Sequence, residues 1–92
     1  MWTALVARDR HCAFPSCTRP PVMCHAHHIR HWADGGETAL DNLVLLCGHH
    51  HRTIHHTPWR VRLGHNRRPE FLPPAKVGRP PTDWIRYRPR LT

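Results

Sequence analysis

Histidines and cysteines are concentrated in one segment, CHAHHIRHWADGGETALDNLVLLCGHHHRTIHH, which runs from Cys24 to His56. Adjacent histidines at 27 and 28 precede an Asp-Asn-Leu at 41–43, a Cys-x-x-His-His at 47–51, and His55. Packing rarely requires so many imidazoles in so short a span, whereas imidazoles and thiolates are preferred ligands of zinc and related ions. The spacing therefore predicts ligands for one or two metal ions, with one histidine left for chemistry.

The first predicted site combines a Cys-x4-Cys turn with a Cys-x2-His at the start of a helix, and both spacings are common for tetrahedral zinc. Such a site would connect the N-terminal turn to the helix. A chain of 92 residues that is 39% hydrophobic and contains ten prolines needs this support, because its core is small. The predicted ligands of this structural zinc are Cys12, Cys17, Cys47 and His50. The remaining cysteine, Cys24, can replace one of the four or be a buried thiol, and we favour the buried thiol.

Two disulfides are the alternative interpretation of four cysteines. The N-terminus argues against it, because its apolar run is too short for a signal peptide and is followed by Arg8, Asp9 and Arg10. We therefore expect a cytoplasmic protein, and in a reducing compartment clustered cysteine and histidine favour metal binding.

The second predicted site uses His51 and His55, which lie four residues apart and so share one face of a helix. Either His27 or His28 can supply a third ligand. Three protein ligands with open positions are typical of a catalytic ion. His50 is rotated by about 100° from its neighbour on the same helix, which lets one helix serve both sites.

Phosphodiester hydrolysis needs a base as well as a metal, and a histidine with an ordinary pKa of about 6.5 can serve at neutral pH. The base and the metal ligand must be different residues, and adjacent histidines allow that division. In a regular strand His27 and His28 would point to opposite faces, so a bend or a strand end near Ile29 is required. Asn42 can hold a loop or the imidazole in place, although an asparagine after Asp41 can equally be a turn or a helix cap.

The charge balance points to a polyanionic partner. Fourteen Lys+Arg against six Asp+Glu give a net charge of +8, which favours nucleic acid, although a basic tail can also serve solubility alone. No segment approaches membrane-spanning length, so no membrane is expected as a partner. No further base-reading helix is evident, which predicts low sequence specificity. The candidate nucleic-acid contacts are Arg30, Arg52, Arg60 and Arg62.

The remaining pattern predicts the elements that position these residues. In chain order they are a helix over 1–10, a turn over 12–17, a strand over 23–32, a loop over 33–42, a short strand or the lead-in to a helix over 43–46, a helix over 47–56, and strands over 59–63 and 70–72. From Pro73 onward the chain is rich in proline and arginine, and residues 73–92 are predicted to be loosely ordered, with Trp84 and Tyr87 as candidates for docking back.

These motifs resemble the HNH endonuclease family, in particular HNH domains at the C-terminus of larger actinobacterial proteins. The resemblance covers about Arg8 to Leu72 and implies a nuclease domain over 1–72. It also implies a small α+β fold of the ββα-metal (His-Me finger) type, in which a hairpin and a helix surround one divalent ion, cross-linked here by a structural zinc. It further implies metal-dependent hydrolysis of DNA, with double-stranded DNA as the expected partner, and an N-terminal domain absent from this chain. The residues that carry it are Cys12, Cys17, Ala26-His27-His28-Ile29, Gly35-Gly36, Asp41-Asn42-Leu43, Leu46-Cys47, His50-His51 and His55.

By the same resemblance His28 is the general base, and Asn42 is the residue that orients it. His27, His51 and His55 bind one catalytic divalent ion, which can be Mg, Mn, Ni or Zn. Two departures stand out. His50 replaces a cysteine of many relatives, and Arg30-His31 stand where many relatives have a proline.

Two other functions are open on the sequence. The chain can be a catalytically inactive, zinc-stabilised DNA-binding module, or an interaction domain that uses zinc only to fold. The combination of His28, Asn42, His51 and His55 favours the nuclease, because binding alone does not require it. The net charge of +8 argues against the interaction domain, which leaves that charge unexplained.

Overall fold

A computed structural model of the chain describes residues 1–75 and 83–87, and in this part the fold is a small α+β arrangement of two helices and two sheets. The helices and strands are α1 Trp2–Asp9, β1 Cys24–His28, β2 Leu43–Cys47, α2 Gly48–His56, β3 Arg60–Leu63, β4 Pro69–Leu72 and β5 Ile85–Arg86. Single 3-10 turns lie at Pro21–Met23, Trp32–Asp34 and Leu40–Asn42.

The antiparallel pair β1–β2 and the helix α2 form the unit that carries the predicted ligands. Cys24 lies opposite Cys47 and His28 lies opposite Leu43. All five residues of β2 are buried, as its sequence LVLLC predicts. Helix α2 follows β2 without a loop and contacts both strands.

The strand predicted over 23–32 is shorter than that segment. It ends at His28, because the backbone of Ile29 bends away to bond Asn42 and the chain then forms the 3-10 turn Trp32–Asp34. The predicted loop over 33–42 accordingly contains two such turns, and not only irregular chain.

The outer edge of β2 is covered by the N-terminal segment. The amide of Leu45 donates to Asp9 Oδ2 at 2.9 Å, and the Leu45 carbonyl accepts from the amide of Ala13 at 2.8 Å. Arg8 pairs with the Asp9 carboxylate at 2.7 Å and also donates to the Leu43 carbonyl. The Asp9 side chain is completely buried, so β2 is held on this side by an ion pair inside the core.

The second sheet has the order β3-β4-β5, with both pairs antiparallel. Its central strand is buried, and Phe71 packs against Phe14 from the N-terminal turn. Tyr87, just after β5, is buried and its hydroxyl donates to the carbonyl of Asp9. This sheet therefore closes the core over α1 and β2.

The prediction that residues 73–92 are loosely ordered is wrong for Ile85–Tyr87. Glu70 and Phe71 of β4 pair with β5, and this pairing places Tyr87 in the core. The guanidinium of Arg62 lies over the ring of Trp84, with Cζ 4.0 Å from the centre of that ring. Residues 76–82 and 88–92, to which the same prediction applied, lie outside the described part of the chain.

Across residues 1–75 and 83–87, neither helix has the length and apolar character needed to span a bilayer.

Replacing Asp9 by alanine should destabilise the protein by about 3 kcal/mol, because it leaves the buried Arg8 guanidinium and the Leu45 amide without their partner. Urea unfolding of the zinc-loaded protein measures the effect. The exposed Glu37→Ala is the matched control and should change the free energy of unfolding by less than about 0.5 kcal/mol. Equal effects of the two substitutions would show that the buried pair does not support β2.

Candidate metal centres and catalytic cleft

Three sulfurs and one imidazole converge at the junction of β2 and α2. The ligand atoms of Cys12, Cys17, Cys47 and His50 all lie within 4.8 Å of one another. His50 Nδ1 is 3.4 Å from Cys47 Sγ and 3.6 Å from Cys12 Sγ. Zinc bonds of about 2.3 Å to sulfur and about 2.0–2.1 Å to nitrogen, at a tetrahedral angle, separate such atoms by about 3.5 Å. The geometry fits a closed tetrahedral zinc site.

Local structure explains why these side chains meet. Cys12 and Cys17 flank a turn in which Ser16 has a φ of 65° and the Cys17 amide donates to the Phe14 carbonyl. The Phe14 ring lies flat on the imidazole of His50, with centres 4.0 Å apart and planes within 4°. This stacking fixes the ring plane, so that Nδ1 faces the sulfurs.

Arg19 is a member of this centre that the sequence analysis did not identify. Its Nη1 donates to Cys47 Sγ at 3.1 Å. Burial opposes ionisation of Cys47, but bonds from the His50 amide, from Arg19 and from neighbouring thiols lower its pKa overall. Burial raises the pKa of Cys12 well above its ordinary range. One sulfur is thus favoured as a thiolate, the form that binds metal.

Cys24 does not belong to the cluster. It is buried, and its thiol donates to the Pro20 carbonyl at 3.3 Å. Burial raises its pKa to about 11. It is therefore a neutral thiol within the core, as the sequence indicated.

A second cluster of imidazoles lies on the other side of α2. The ligand nitrogens of His27, His51 and His55 lie within 4.8 Å of one another, and the Nε2 atoms of His51 and His55 are 3.3 Å apart. Two nitrogens at about 2.0–2.1 Å from one ion at a tetrahedral angle are separated by about 3.3 Å. All three ring pairs are edge-on, with interplanar angles of 77–84°. The arrangement fits one metal ion with three protein ligands.

Helix periodicity explains why the histidines of α2 face two different clusters. His50 turns toward the sulfurs, while His51 and His55 turn toward β1, where His27 is only 7% exposed. Burial, and then the neighbouring imidazoles of His51 and His55, lower the pKa of His27 to about 4. Burial likewise lowers the pKa of His51. These rings are neutral at physiological pH and available as ligands.

His28 lies outside both clusters but faces the same open cleft as the three imidazoles. The cleft has a volume of about 290 Å³ and is lined by Ala26, His27, His28, His31, Trp32, His51 and His55. Since β1 ends at His28, its side chain can reach this space although His27 precedes it directly. His28 Nε2 is 3.0 Å from the hydroxyl of Thr38, a neighbour that its sequence position did not reveal.

Asn42 clasps the loop that follows His28. Its Oδ1 accepts from the Arg30 amide at 2.9 Å, and its Nδ2 donates to the carbonyls of Arg30 and Glu37 at 2.9 and 2.8 Å. Its own carbonyl accepts from the Ile29 amide. Gly36 permits this closure, because a Cβ there would overlap the Arg30 carbonyl. Asn42 therefore holds backbone, and its bonds fix the chain directly after His28.

The candidate nucleic-acid contacts divide into two groups. Arg30 is exposed on the clasped loop, and Arg52 is exposed on α2 beside His51. Arg60 and Arg62 lie on β3 in the other sheet, and none of the four lines the cleft. Arg62 is engaged internally, with Nε 2.9 Å from Glu70.

His25 is a second residue to which the sequence analysis gave no role. It lies two positions before His27 on β1, and its ring centre is 5.8 Å from that of His51. The i, i+2 alternation of a strand could have indicated that both rings face α2.

Cys12→Ser should abolish stoichiometric zinc binding and unfold the protein, because the cluster joins the N-terminal turn to α2. His28→Ala should retain one zinc and the wild-type melting temperature within a few degrees, since His28 is part of neither cluster. Zinc analysis of the purified protein and circular dichroism during heating measure both. Unfolding by both substitutions would contradict the separation of structural from catalytic residues.

Acidification should destabilise the fold through His27. With its pKa lowered from 6.5 to about 4, the unfolded chain takes up a proton between these values that the folded chain excludes. The free energy of unfolding should therefore fall as the pH is lowered from 6.5 toward 4.

The comparison with His27→Gln, each protein carrying one equivalent of zinc, isolates this contribution. The variant should lose less stability over this pH range in urea titrations. Parallel curves for the two proteins would show that His27 is not held neutral by the fold.

Comparison with known proteins matches the same region. The sequence pattern of the HNH endonuclease family matches residues 11–57. An uncharacterised protein of Mycobacterium tuberculosis H37Rv is 36% identical over 81 residues, which are 86% of this chain and 18% of that protein. An uncharacterised protein of Mycobacterium bovis is 33% identical over 73 residues, which are 79% of this chain and 16% of that protein.

The chain spans less than a fifth of the length of these two relatives. No solved structure matches it significantly. The matched segment, residues 11–57, makes up half of the chain and includes all seven of the clustered cysteines and histidines. The chain belongs to the HNH endonuclease family.

Proposed function

We propose that this protein is a metal-dependent endonuclease that hydrolyses DNA phosphodiester bonds, with the hairpin β1–β2 and helix α2 forming a ββα-metal centre. The observation that carries the proposal is the separation of roles around one cleft. Three imidazoles converge as ligands, while the adjacent His28 faces the same cleft and belongs to neither cluster. A binding module does not need that separation.

His28 is the proposed general base. In the neutral form its Nε2 accepts a proton from the attacking water, which must take the place of the Thr38 hydroxyl, 3.0 Å away, as the partner of that nitrogen. Asn42 acts as a positioning residue, since its three side-chain bonds fix the loop that follows His28. The base is therefore aligned by backbone structure, and no titrating neighbour is needed.

His27, His51 and His55 are the proposed ligands of one catalytic divalent ion, which can be Mg, Mn, Ni or Zn. When bound, such an ion supplies charge stabilisation at the phosphate and at the leaving oxygen. All three ligands are nitrogens, a set that suits Ni or Zn better than Mg or Mn. Cys12, Cys17, Cys47 and His50 are the proposed ligands of the structural zinc.

Double-stranded DNA is the proposed substrate, with low sequence specificity. Arg30 and Arg52 are placed on the loop and the helix that border the cleft, and they are proposed to contact phosphates on either side of the scissile bond. Arg60 and Arg62 are proposed contacts farther along the backbone of the DNA. The net charge of +8 supports attraction to the duplex before any specific contact forms.

We also propose that the protein acts in the cytoplasm, because three thiols lie close enough together to hold zinc, an arrangement suited to a reducing compartment.

His28→Ala should reduce cleavage of supercoiled plasmid by at least about 100-fold in Mg, Mn or Ni, because it removes the base. His49→Ala is the matched control, since this exposed histidine of α2 lies in neither cluster, and it should cut like the wild type. DNA binding without cleavage by the wild-type protein in every metal would refute the nuclease and support an inactive zinc-stabilised DNA-binding module.

Asn42→Asp and Asn42→Ala test the clasp. Aspartate keeps the acceptor for the Arg30 amide but loses both donated bonds, and alanine loses all three. Aspartate also turns an oxygen toward the two carbonyls, so both substitutions should lower activity, while the zinc content stays at one. Equal activity of all three proteins in initial-rate assays would remove the positioning role.

A further inference from the structure

Trp32 is an exposed tryptophan at the edge of the catalytic cleft. Its side chain is 68% exposed, yet it lines the same cleft as His28 and the three clustered imidazoles. No step of the proposed hydrolysis uses it. Its position in the lining of the cleft, and not its exposure alone, makes it a contact surface for a ligand bound there.

The loop holds Trp32 in one place without burying it. The His31 side chain accepts from the Ala33 amide at 3.1 Å and caps the 3-10 turn Trp32–Asp34. The imidazole of His31 also stacks beside the indole, with centres 5.4 Å apart and planes within 30°.

The backbone beyond the turn is closed by specific bonds. The Gly35 amide donates to the Trp32 carbonyl and the Gly36 amide to the His31 carbonyl, each at 3.1 Å. Gly35 has a φ of 87°, a conformation that glycine adopts without strain. Asn42 joins both ends of the loop. The indole is therefore presented on a fixed support, which reduces the entropy lost when a flat ligand stacks on it.

The surroundings favour a nucleotide as that ligand. Its neighbours in the chain, Arg30, His31 and Asp34, are polar and exposed, so this loop offers the indole as an isolated aromatic group and not as part of an apolar run of the kind that docks protein. An aromatic face beside cationic side chains is the usual platform for a nucleobase. A phosphate in the cleft would place the base of an adjoining nucleotide within reach of Trp32.

Pairing in the substrate decides which bases can use the platform. In an intact duplex both faces of each base are stacked on neighbours, so contact with Trp32 requires unstacking at a cost. A base that is already unpaired offers its face without that cost. The gain from stacking is therefore largest on DNA with an unpaired nucleotide.

We propose that Trp32, supported by His31, is a stacking platform for an unpaired nucleobase next to the scissile phosphate. The protein then favours duplex DNA that carries an unpaired nucleotide at the cleavage position. This inference rests on the proposed nuclease function and adds the class of substrate that the cleft selects.

Binding measured without cleavage tests the platform directly. In the His28→Ala background with one zinc and no other divalent ion, fluorescence anisotropy compares a fully paired duplex with the same duplex containing one unpaired base. We expect about tenfold tighter binding to the unpaired DNA, the size of effect that one base–aromatic stack gives. Trp32→Ala should bring this ratio close to one, and Trp32→Phe should retain most of it.

Two matched variants identify the cause. Trp2→Ala removes another exposed tryptophan, which lies on α1 and does not line the cleft, and should leave the ratio unchanged. Trp32→Leu keeps apolar bulk but has no aromatic face, so it should behave like Trp32→Ala.

Three results would overturn the platform. The first is equal binding of the two DNAs by the His28→Ala protein that retains Trp32. The second and third are a preference for the unpaired DNA that persists in Trp32→Ala or in Trp32→Leu. None of them depends on cleavage. A wild-type protein that prefers unpaired DNA through Trp32 but cuts no DNA in any metal would refute the nuclease and leave the platform standing.

Discussion

The cluster of three sulfurs and His50 at the junction of β2 and α2 is the constraint on which the rest of the site depends. Helix α2 has only nine residues and no fully buried ones, and its Ile54 packs only partly against the core, so length and packing alone fix its rotation weakly. The contacts of His50 with Cys12, Cys47 and the Phe14 ring do fix it. Since the next residue is turned by about 100°, fixing His50 also aims His51 and His55 at β1. The arrangement of the clustered imidazoles thus follows from the cluster of sulfurs and His50.

Polar side chains away from the metal clusters fix parts of the backbone that the small core does not hold. The Asp9 carboxylate, paired with Arg8, bonds the free edge of β2, while Asn42 closes the loop after β1. Both act on backbone groups, so they fix chain path and not only side-chain contacts. Their positions bracket the hairpin: one supports the strand that leads to the zinc centre, and the other sets where the strand carrying His27 and His28 ends. Order in the cleft therefore depends on a few buried or clasped polar residues.

The ligand sets could be predicted from the sequence because they depend on residue type and local spacing. Cys-x4-Cys, Cys-x2-His and the i, i+4 histidines of α2 are short-range patterns. The support of Arg19 for Cys47 could not be predicted, because these residues lie 28 apart in the chain and the contact needs the folded hairpin. The pairing of β5 with β4 could not be predicted for the same reason, whereas Tyr87 was a candidate for docking back and is buried, with its hydroxyl on the carbonyl of Asp9, 78 residues away. The end of β1 at His28 was recognised as a requirement, but the bonds of Asn42 that produce it involve tertiary structure.

Cobalt titration of the metal-free protein tests most directly the central claim that one helix serves two separate metal centres. The first equivalent should bind at the sulfurs and give a thiolate-to-cobalt charge-transfer band, and the second should bind at the imidazoles without increasing that band. His27→Ala should remove the second binding event and leave the first unchanged. A single binding event, or loss of the thiolate band in His27→Ala, would contradict the account, because the histidines and cysteines would then form one centre.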